Sequence, residues 1–215
     1  MGFESTLWTV IRRARDGEED ALQRFVRSYG PAIVSYLVRR GFGREAEDLA
    51  QEVFLRVFRD GLLDSADPSK GRFRNLILAV TRNVLGNHVE RQLAAKRGGG
   101  KVVPLEDAAV APDGEDDSFA REWVTHLLAR AFERLAREHP AYHEALRAFL
   151  LEGKTYAEIQ ARSGHPETTI KNHVHRGKRK LAEYVRDEVR EYSASREDYE
   201  EELASLARFL PEGPN

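Results

Sequence analysis

Cysteine is absent from the 215 residues, and methionine occurs once. Without cysteine there are no disulfides, no thiolate nucleophile and no thiolate metal site. No apolar run approaches the roughly 20 residues a membrane-spanning helix requires. Residues 1–10 have neither the cationic start nor the apolar stretch of a secretion signal, so a soluble, cytoplasmic protein is expected. Alternating apolar and polar runs joined by Asn-Gly or Asp-Gly turns do not occur, which argues against strands. Enzyme signatures are missing as well: no Gly-x-Gly-x-x-Gly, phosphate-binding loop, Gly-x-Ser-x-Gly or His-Glu-x-x-His. His139 and His143 are four apart, but Pro140 lies between them and no third ligand follows. The carboxylates form no isolated pair in an apolar setting. The sequence therefore predicts a non-enzyme with no catalytic residue, no cofactor and no metal site.

What is abundant is charge, at 33% of residues against 41% hydrophobic, a balance that suits two small helical domains better than one large globule. The net charge of −2 conceals an alternation. Residues 1–97 hold 17 Lys and Arg against 13 Asp and Glu, and residues 121–185 hold 12 against 8. Residues 101–120 hold 1 against 6, and residues 186–215 hold 4 against 9. Two basic blocks separated by acidic segments suit two nucleic-acid-facing domains. Gly98, Gly99 and Gly100, then Pro104, Pro112 and Gly114, mark a flexible acidic linker over 98–118. The expected organisation is a domain over 5–97, the linker over 98–118, a domain over 119–185 and an acidic extension over 186–215.

Helical periodicity runs through both domains. Helices are expected over 7–16, 18–29, 31–40, 45–59 and 73–97, with a loop over 60–72. In the second half they are expected over 120–138, 141–152, 156–163 and 167–185. In the helix over 45–59, Ala46, Leu49, Ala50, Val53, Phe54, Val57 and Phe58 share one face. Asp48, Gln51, Glu52, Leu55 and Arg59 share the other. That second face reads either as a docking surface for a basic partner or as a solvated face with one stray Leu. In the helix from Phe73, residues Ile77, Val80 and Val84 form the inward stripe. Arg74, Arg82, Asn83, Asn87 and Arg91 are expected to project outward, with His88 near them. Guanidinium and amide groups suit phosphate and base-edge contacts.

The segment 155–181 reads as a helix-turn-helix. The first helix stops at Gly164, and His165-Pro166 prevents its continuing. In the second, Ile170, Val174, Gly177 and Leu181 form a packing stripe in which Gly177 permits close approach. Thr168, Lys171, Asn172, His175, Arg176 and Arg179 take other faces, and with Lys178 and Lys180 they suit a major groove and its phosphates.

Three strings together carry a family resemblance. Asp48-Leu49-Ala50-Gln51-Glu52-Val53-Phe54 resembles the core-polymerase-binding signature of bacterial RNA polymerase sigma factors of the sigma-70 family, in the extracytoplasmic-function (ECF) group. The run from Phe73 to Asn83 looks like that family's promoter −10 helix. Thr155-Tyr156-Ala157-Glu158-Ile159 with Thr169 to Leu181 is similar to its −35-binding region. Gln160, Thr168 and Asn172-His173 depart from the usual pattern, as does Leu76 where an aromatic is common.

The resemblance implies an all-α fold: a region 2 helical bundle and a region 4 helix-turn-helix. It implies core RNA polymerase, through the clamp of its largest subunit, and promoter DNA as partners. Asp48, Gln51, Glu52 and Leu55 would bind core polymerase. Arg74, Arg82, Asn83, Asn87 and Arg91 would meet the −10 element, and Thr168, Lys171, Asn172, His175, Arg176 and Arg179 the −35 element. The loop over 60–70 would catch an unstacked −10 base. An anti-sigma factor, or self-regulation by the C-terminal extension covering the basic DNA face, would complete the partner set. The other reading of that extension is a solubilising terminus. The rival function is a dimeric helix-turn-helix repressor or activator that acts without core polymerase.

Overall fold

A computed structural model describes residues 19–59, 73–96, 113–193 and 195–209. The described residues form eight helices and no strand. They are α1 (Glu19–Arg39), α2 (Ala46–Arg59), α3 (Phe73–Lys96), α4 (Asp113–Glu138), α5 (Pro140–Leu150), α6 (Tyr156–Ser163), α7 (Glu167–Tyr192) and α8 (Arg196–Ala207). None is long and apolar enough to cross a membrane. The helix expected over 7–16, the loop over 60–72 and residues 97–112 lie outside the described residues.

Three expected boundaries moved, one of them the end of the helix expected over 167–185, which runs on to Tyr192 because Val189 and Tyr192 are buried in the first core. The separate helices expected over 18–29 and 31–40 are one helix, α1, with Pro31 inside it. A proline in a helix interior costs about 3 kcal/mol. The buried stripe of Tyr29, Ala32, Ile33, Tyr36 and Leu37 runs straight across it and offsets that cost. Helix α4 begins at Asp113, inside the segment expected to be linker. Asp113, Glu115 and Asp116 sit where a helix start favours negative charge, so acidity there promotes helix.

The helices enclose two cores. In the first, α1, α2 and the start of α3 contribute Ile33, Leu37, Val53, Val57, Phe73 and Ile77. Phe119, Trp123, Val124 and Leu127 of α4, Val189 and Tyr192 of α7 and Leu206 of α8 join them. In the second, Ala131 and Leu135 of α4 pack with Leu146 of α5, Ile159 of α6 and Ile170, Val174, Leu181 and Tyr184 of α7. Leu128 touches both. Helices α4 and α7 therefore each bury one end in either core.

The turn between α6 and α7 depends on Gly164, which adopts φ 72° and ends α6 with its N–H bonded to the carbonyl of Gln160 at 2.9 Å. A left-handed backbone there suits glycine and strains other residues. The close approach expected at Gly177 is present. A Cβ at that position would lie 3.2 Å from the Tyr142 carbonyl oxygen and 3.4 Å from the Leu146 side chain. Gly177→Val should destabilise the chain by about 2 kcal/mol, as overpacking of a tight contact does. Denaturant unfolding reads this directly, and an unchanged midpoint would show that α5 and α7 part there freely.

Candidate nucleic-acid interface

Helix α2 has the two faces its periodicity predicts. Ala46, Leu49, Ala50, Val53, Phe54 and Val57 are buried, while Asp48, Gln51 and Leu55 are exposed. Leu55 is 53% exposed, a large apolar side chain ringed by polar ones. Glu52 is half-buried and occupied: it accepts from Arg56 at 2.7 Å and from Arg91 at 3.1 Å. The side chain of Arg59 is not described.

On α3 the inward stripe of Ile77, Val80 and Val84 is buried as expected. Asn83, Asn87 and Arg91 come together beside α2. Arg56 donates to the Asn83 side-chain oxygen at 2.5 Å, and Asn87 donates to the same oxygen at 2.8 Å. Arg91 donates to the Asn87 carbonyl at 3.2 Å and reaches Glu52. Arg82 is half-buried, and His88 hydrogen-bonds Gln92 at 2.9 Å. The polar face of α2 and the amide face of α3 are thus wired through Glu52 and Arg56. Sequence reasoning missed Arg56; its signal was the i,i+4 spacing from Glu52.

Arg74 departs from expectation. It does not project outward but is 3% exposed, with Nε donating to Glu202 at 2.9 Å and Nη2 at 3.3 Å. The reason is positional: Arg74 precedes Ile77 by three residues and Thr81 by seven, so it lies on the buried stripe of α3.

In the helix-turn-helix, α6 starts in a capping box. The Glu158 N–H donates to the Thr155 hydroxyl at 3.3 Å, and the Thr155 N–H donates to the Glu158 carboxylate at 2.8 Å. That backbone donor holds the Glu158 carboxyl below the usual carboxylate range. On α7, Ile170, Val174, Gly177 and Leu181 face inward. Thr168, Lys171, Asn172, His175, Arg176 and Arg179 are all exposed. Thr168, Lys171, His175 and Arg179 recur at 3/4 spacing and form a continuous outward stripe.

Several of these cations are oriented before any ligand arrives. Lys171 pairs with Glu167 at 2.6 Å, which raises its pKa. Arg176 donates to the Tyr142 hydroxyl at 3.3 Å, which raises its pKa too, and Tyr142 stacks on His139. Burial, then His165 and Arg176, push His173 below the ordinary histidine value, so it is neutral near pH 7. Lys178 is half-buried with its ammonium over the Phe149 ring, and Lys180 pairs with Glu183 at 2.9 Å. A groove of about 750 Å³ runs along α7, lined by His139, Tyr142, His175, Arg176, Lys178, Arg179 and Arg186 among others. Tyr142 and Arg186 were not anticipated, because their role depends on which helix packs beside α7. Among the described residues no cluster of three metal-binding side chains occurs.

Comparison with known proteins agrees with this layout. Residues 25–94 match the family model described as Sigma-70 region 2, and residues 125–181 match that described as Sigma-70, region 4. The chain is similar to the RNA polymerase sigma factor CarQ of Myxococcus xanthus, 29% identical over 176 residues, covering 81% of this chain and 95% of that protein. It is similar to the ECF RNA polymerase sigma factor RpoE of Cereibacter sphaeroides, 29% identical over 177 residues, covering 80% and 91%. A third relative is the ECF RNA polymerase sigma factor SigF of Caulobacter vibrioides, 30% identical over 187 residues, covering 85% and 96%. All the α2, α3 and α7 site residues lie inside the two matched segments.

The capping box gives a direct test of how α6 is held. Thr155→Ala should cost about 1 kcal/mol in denaturant unfolding, with Thr155→Ser near neutral. Equal loss from both substitutions would show that the cap is not the operative contact.

Proposed function

The chain belongs to the ECF group of the sigma-70 family of RNA polymerase sigma factors, and we propose from that premise that it binds core RNA polymerase and directs initiation at promoters with −10 and −35 elements. Its working units are residues 5–97 and 119–185, joined by 98–118 and followed by the extension 186–215. The first unit docks on the polymerase clamp through Asp48, Gln51, Glu52 and Leu55. The face they form is acidic and amide-bearing around one exposed apolar side chain, the chemistry that a basic helical partner fits.

The same unit meets the −10 element through Arg82, Asn83, Asn87 and Arg91, joined by Arg74 when that residue is uncovered. The second unit reads the −35 element with Thr168, Lys171, Asn172, His175, Arg176 and Arg179. Nucleotidyl transfer belongs to polymerase, and this chain contributes sequence preference. It works where polymerase works, in the cytoplasm, and regulators act on it by covering its surfaces, an anti-sigma factor in trans or the extension in cis at Arg74.

The observation that supports this reading most is the continuous exposed stripe on α7, placed on the second helix of a glycine-turned pair, with its opposite face wholly in the core. Lys171, Arg176 and Arg179 supply positive charge on the exposed face, with Lys171 held by Glu167 beside it. Asn172 and His175 offer donors and acceptors at base-edge reach.

The decisive experiment is run-off transcription with purified core enzyme, this chain and fragmented genomic DNA. A one-to-one complex with core enzyme and discrete transcripts are expected. Leu55→Asp should weaken association with core roughly tenfold or more, since an apolar anchor at the centre of an interface is lost. Lys171→Ala with Arg179→Ala should leave core binding intact and reduce the salt slope of promoter binding by about 2, one phosphate contact each. Tight palindromic DNA binding by a homodimer, with no association with core enzyme, would overturn the proposal in favour of a repressor or activator.

A further inference from the structure

The C-terminal helix covers a surface other than the basic face of α7, whose residues stay exposed. It lies on the first core, at the start of α3. There Glu202 is fully buried and accepts three hydrogen bonds: two from Arg74 and one from the Tyr192 hydroxyl at 3.1 Å. The Ser205 hydroxyl accepts a further bond from Arg74 at 3.3 Å. Trp123 donates to the Tyr192 hydroxyl at 3.2 Å and stacks on Tyr29 at 5.1 Å between ring centroids. Leu206 seals the edge of the core, and Arg208 ties the end of the helix to Asp117 at 2.8 Å.

This junction joins the two halves of the chain. Helix α1 meets α4 through a Ser35–His126 hydrogen bond at 3.0 Å and an Arg39–Glu122 ion pair. Most of the side chains that close it, Phe119, Trp123, Val189, Tyr192, Glu202 and Leu206, flank residues 125–181 and lie outside both family-model matches. The closure is therefore built largely from segments that flank the region 4 match.

We propose that α8 is an intramolecular latch in which the Glu202 carboxylate stands in for a DNA phosphate on Arg74, and that promoter engagement displaces it. The latch rests on the sigma-factor reading above. Carboxylate and phosphate both fit the guanidinium fork, so one anion exchanges for the other on the same donors. Arg74 is buried under α8 and cannot meet a phosphate while Glu202 holds it, so the exchange requires α8 to move.

The test compares the full chain with Glu202→Gln, with a chain ending after Ser193 and with Arg208→Ala. Each is assayed for association with core polymerase and for transcript from one promoter found by run-off. Glu202→Gln keeps the shape and the Tyr192 contact but weakens the hold on Arg74. It should raise transcript about five- to tenfold at equal core affinity. The truncated chain should gain at least as much. Arg208→Ala alters an exposed contact only, and serves if the other two do not fold; a smaller gain of the same sign is expected. Adding Arg74→Ala should abolish the gain from Glu202→Gln.

Hydrogen exchange of the amides over 196–207 should accelerate when the unmodified chain assembles with core enzyme and promoter DNA. Folded variants that bind core but transcribe at or below the level of the full chain would overturn the latch alone, as would unaltered exchange on assembly. Failure of every chain to bind core would overturn the functional reading and the latch with it.

Discussion

Helix α4 must satisfy two cores at once, and most of the packing follows from that. Its first half presents Phe119, Trp123, Val124 and Leu127 to the helices of the first core, and its second half presents Ala131 and Leu135 to the helix-turn-helix. A stiff helix with both ends committed fixes where α1 and α5 lie. Helix α7 then has to run back alongside it. Its outward stripe is set in the same step: with Ile170, Val174, Gly177 and Leu181 turned to α4, α5 and α6, the residues between them have only solvent to face. The face proposed to meet DNA is in this sense the remainder of a packing solution.

The aromatic group at the first core adds specificity to that solution. Tyr29, Phe73, Phe119, Trp123 and Tyr192 meet in stacked, edge-on and tilted pairs with centroids between 5.1 and 6.4 Å apart. Burying each ring removes a large apolar area from water, and edge-to-face geometry adds about 0.5–1.5 kcal/mol per pair. The buried hydroxyl of Tyr192 is bonded to Trp123 and Glu202, and burial, with the Glu202 charge next, drives its pKa well above the ordinary tyrosine value. It stays protonated and so remains a donor to Glu202 at any physiological pH.

How far the sequence foretold this is best seen residue by residue. The inner faces of α2, α3 and α7 followed from 3.6-residue periodicity, because each helix has one apolar side and burial decides its direction. The helix-turn-helix followed from Gly164, from His165-Pro166 and from the stripe of Ile170, Val174, Gly177 and Leu181, all local chemistry, while the Thr155–Glu158 capping box was not anticipated. What failed to follow was long-range. Pro31 argues for a helix start on local grounds, and only the stripe from Tyr29 to Leu37 packing on α2 and α4 overrides it. Arg74 has a polar head on a buried stripe, and nothing within a turn or two names its partner 128 residues later. Tyr142 is likewise apolar to its own helix but a hydrogen-bond acceptor for Arg176 of another. Local rules find faces, and partners come from topology.

The energetics of the Arg74–Glu202 pair explain why such a partner suits a changeable contact. Withdrawing two charges from water costs several kcal/mol each, and their attraction repays this only when geometry and further hydrogen bonds are good. Here both conditions hold: two guanidinium donors, the Tyr192 hydroxyl and the Ser205 hydroxyl surround the pair. Net stability from such a pair is small, while the cost of leaving either ion alone and dry is large. A contact of that kind tolerates exchange for another anion and resists simple loss. The acidic extension has Glu200, Glu201 and Glu202 in succession, and only Glu202 turns inward. Its neighbours keep the outer face of α8 charged and soluble, while Leu206, with Tyr199 and Leu203, packs on the first core, so apolar contact holds the helix alongside its one buried acid.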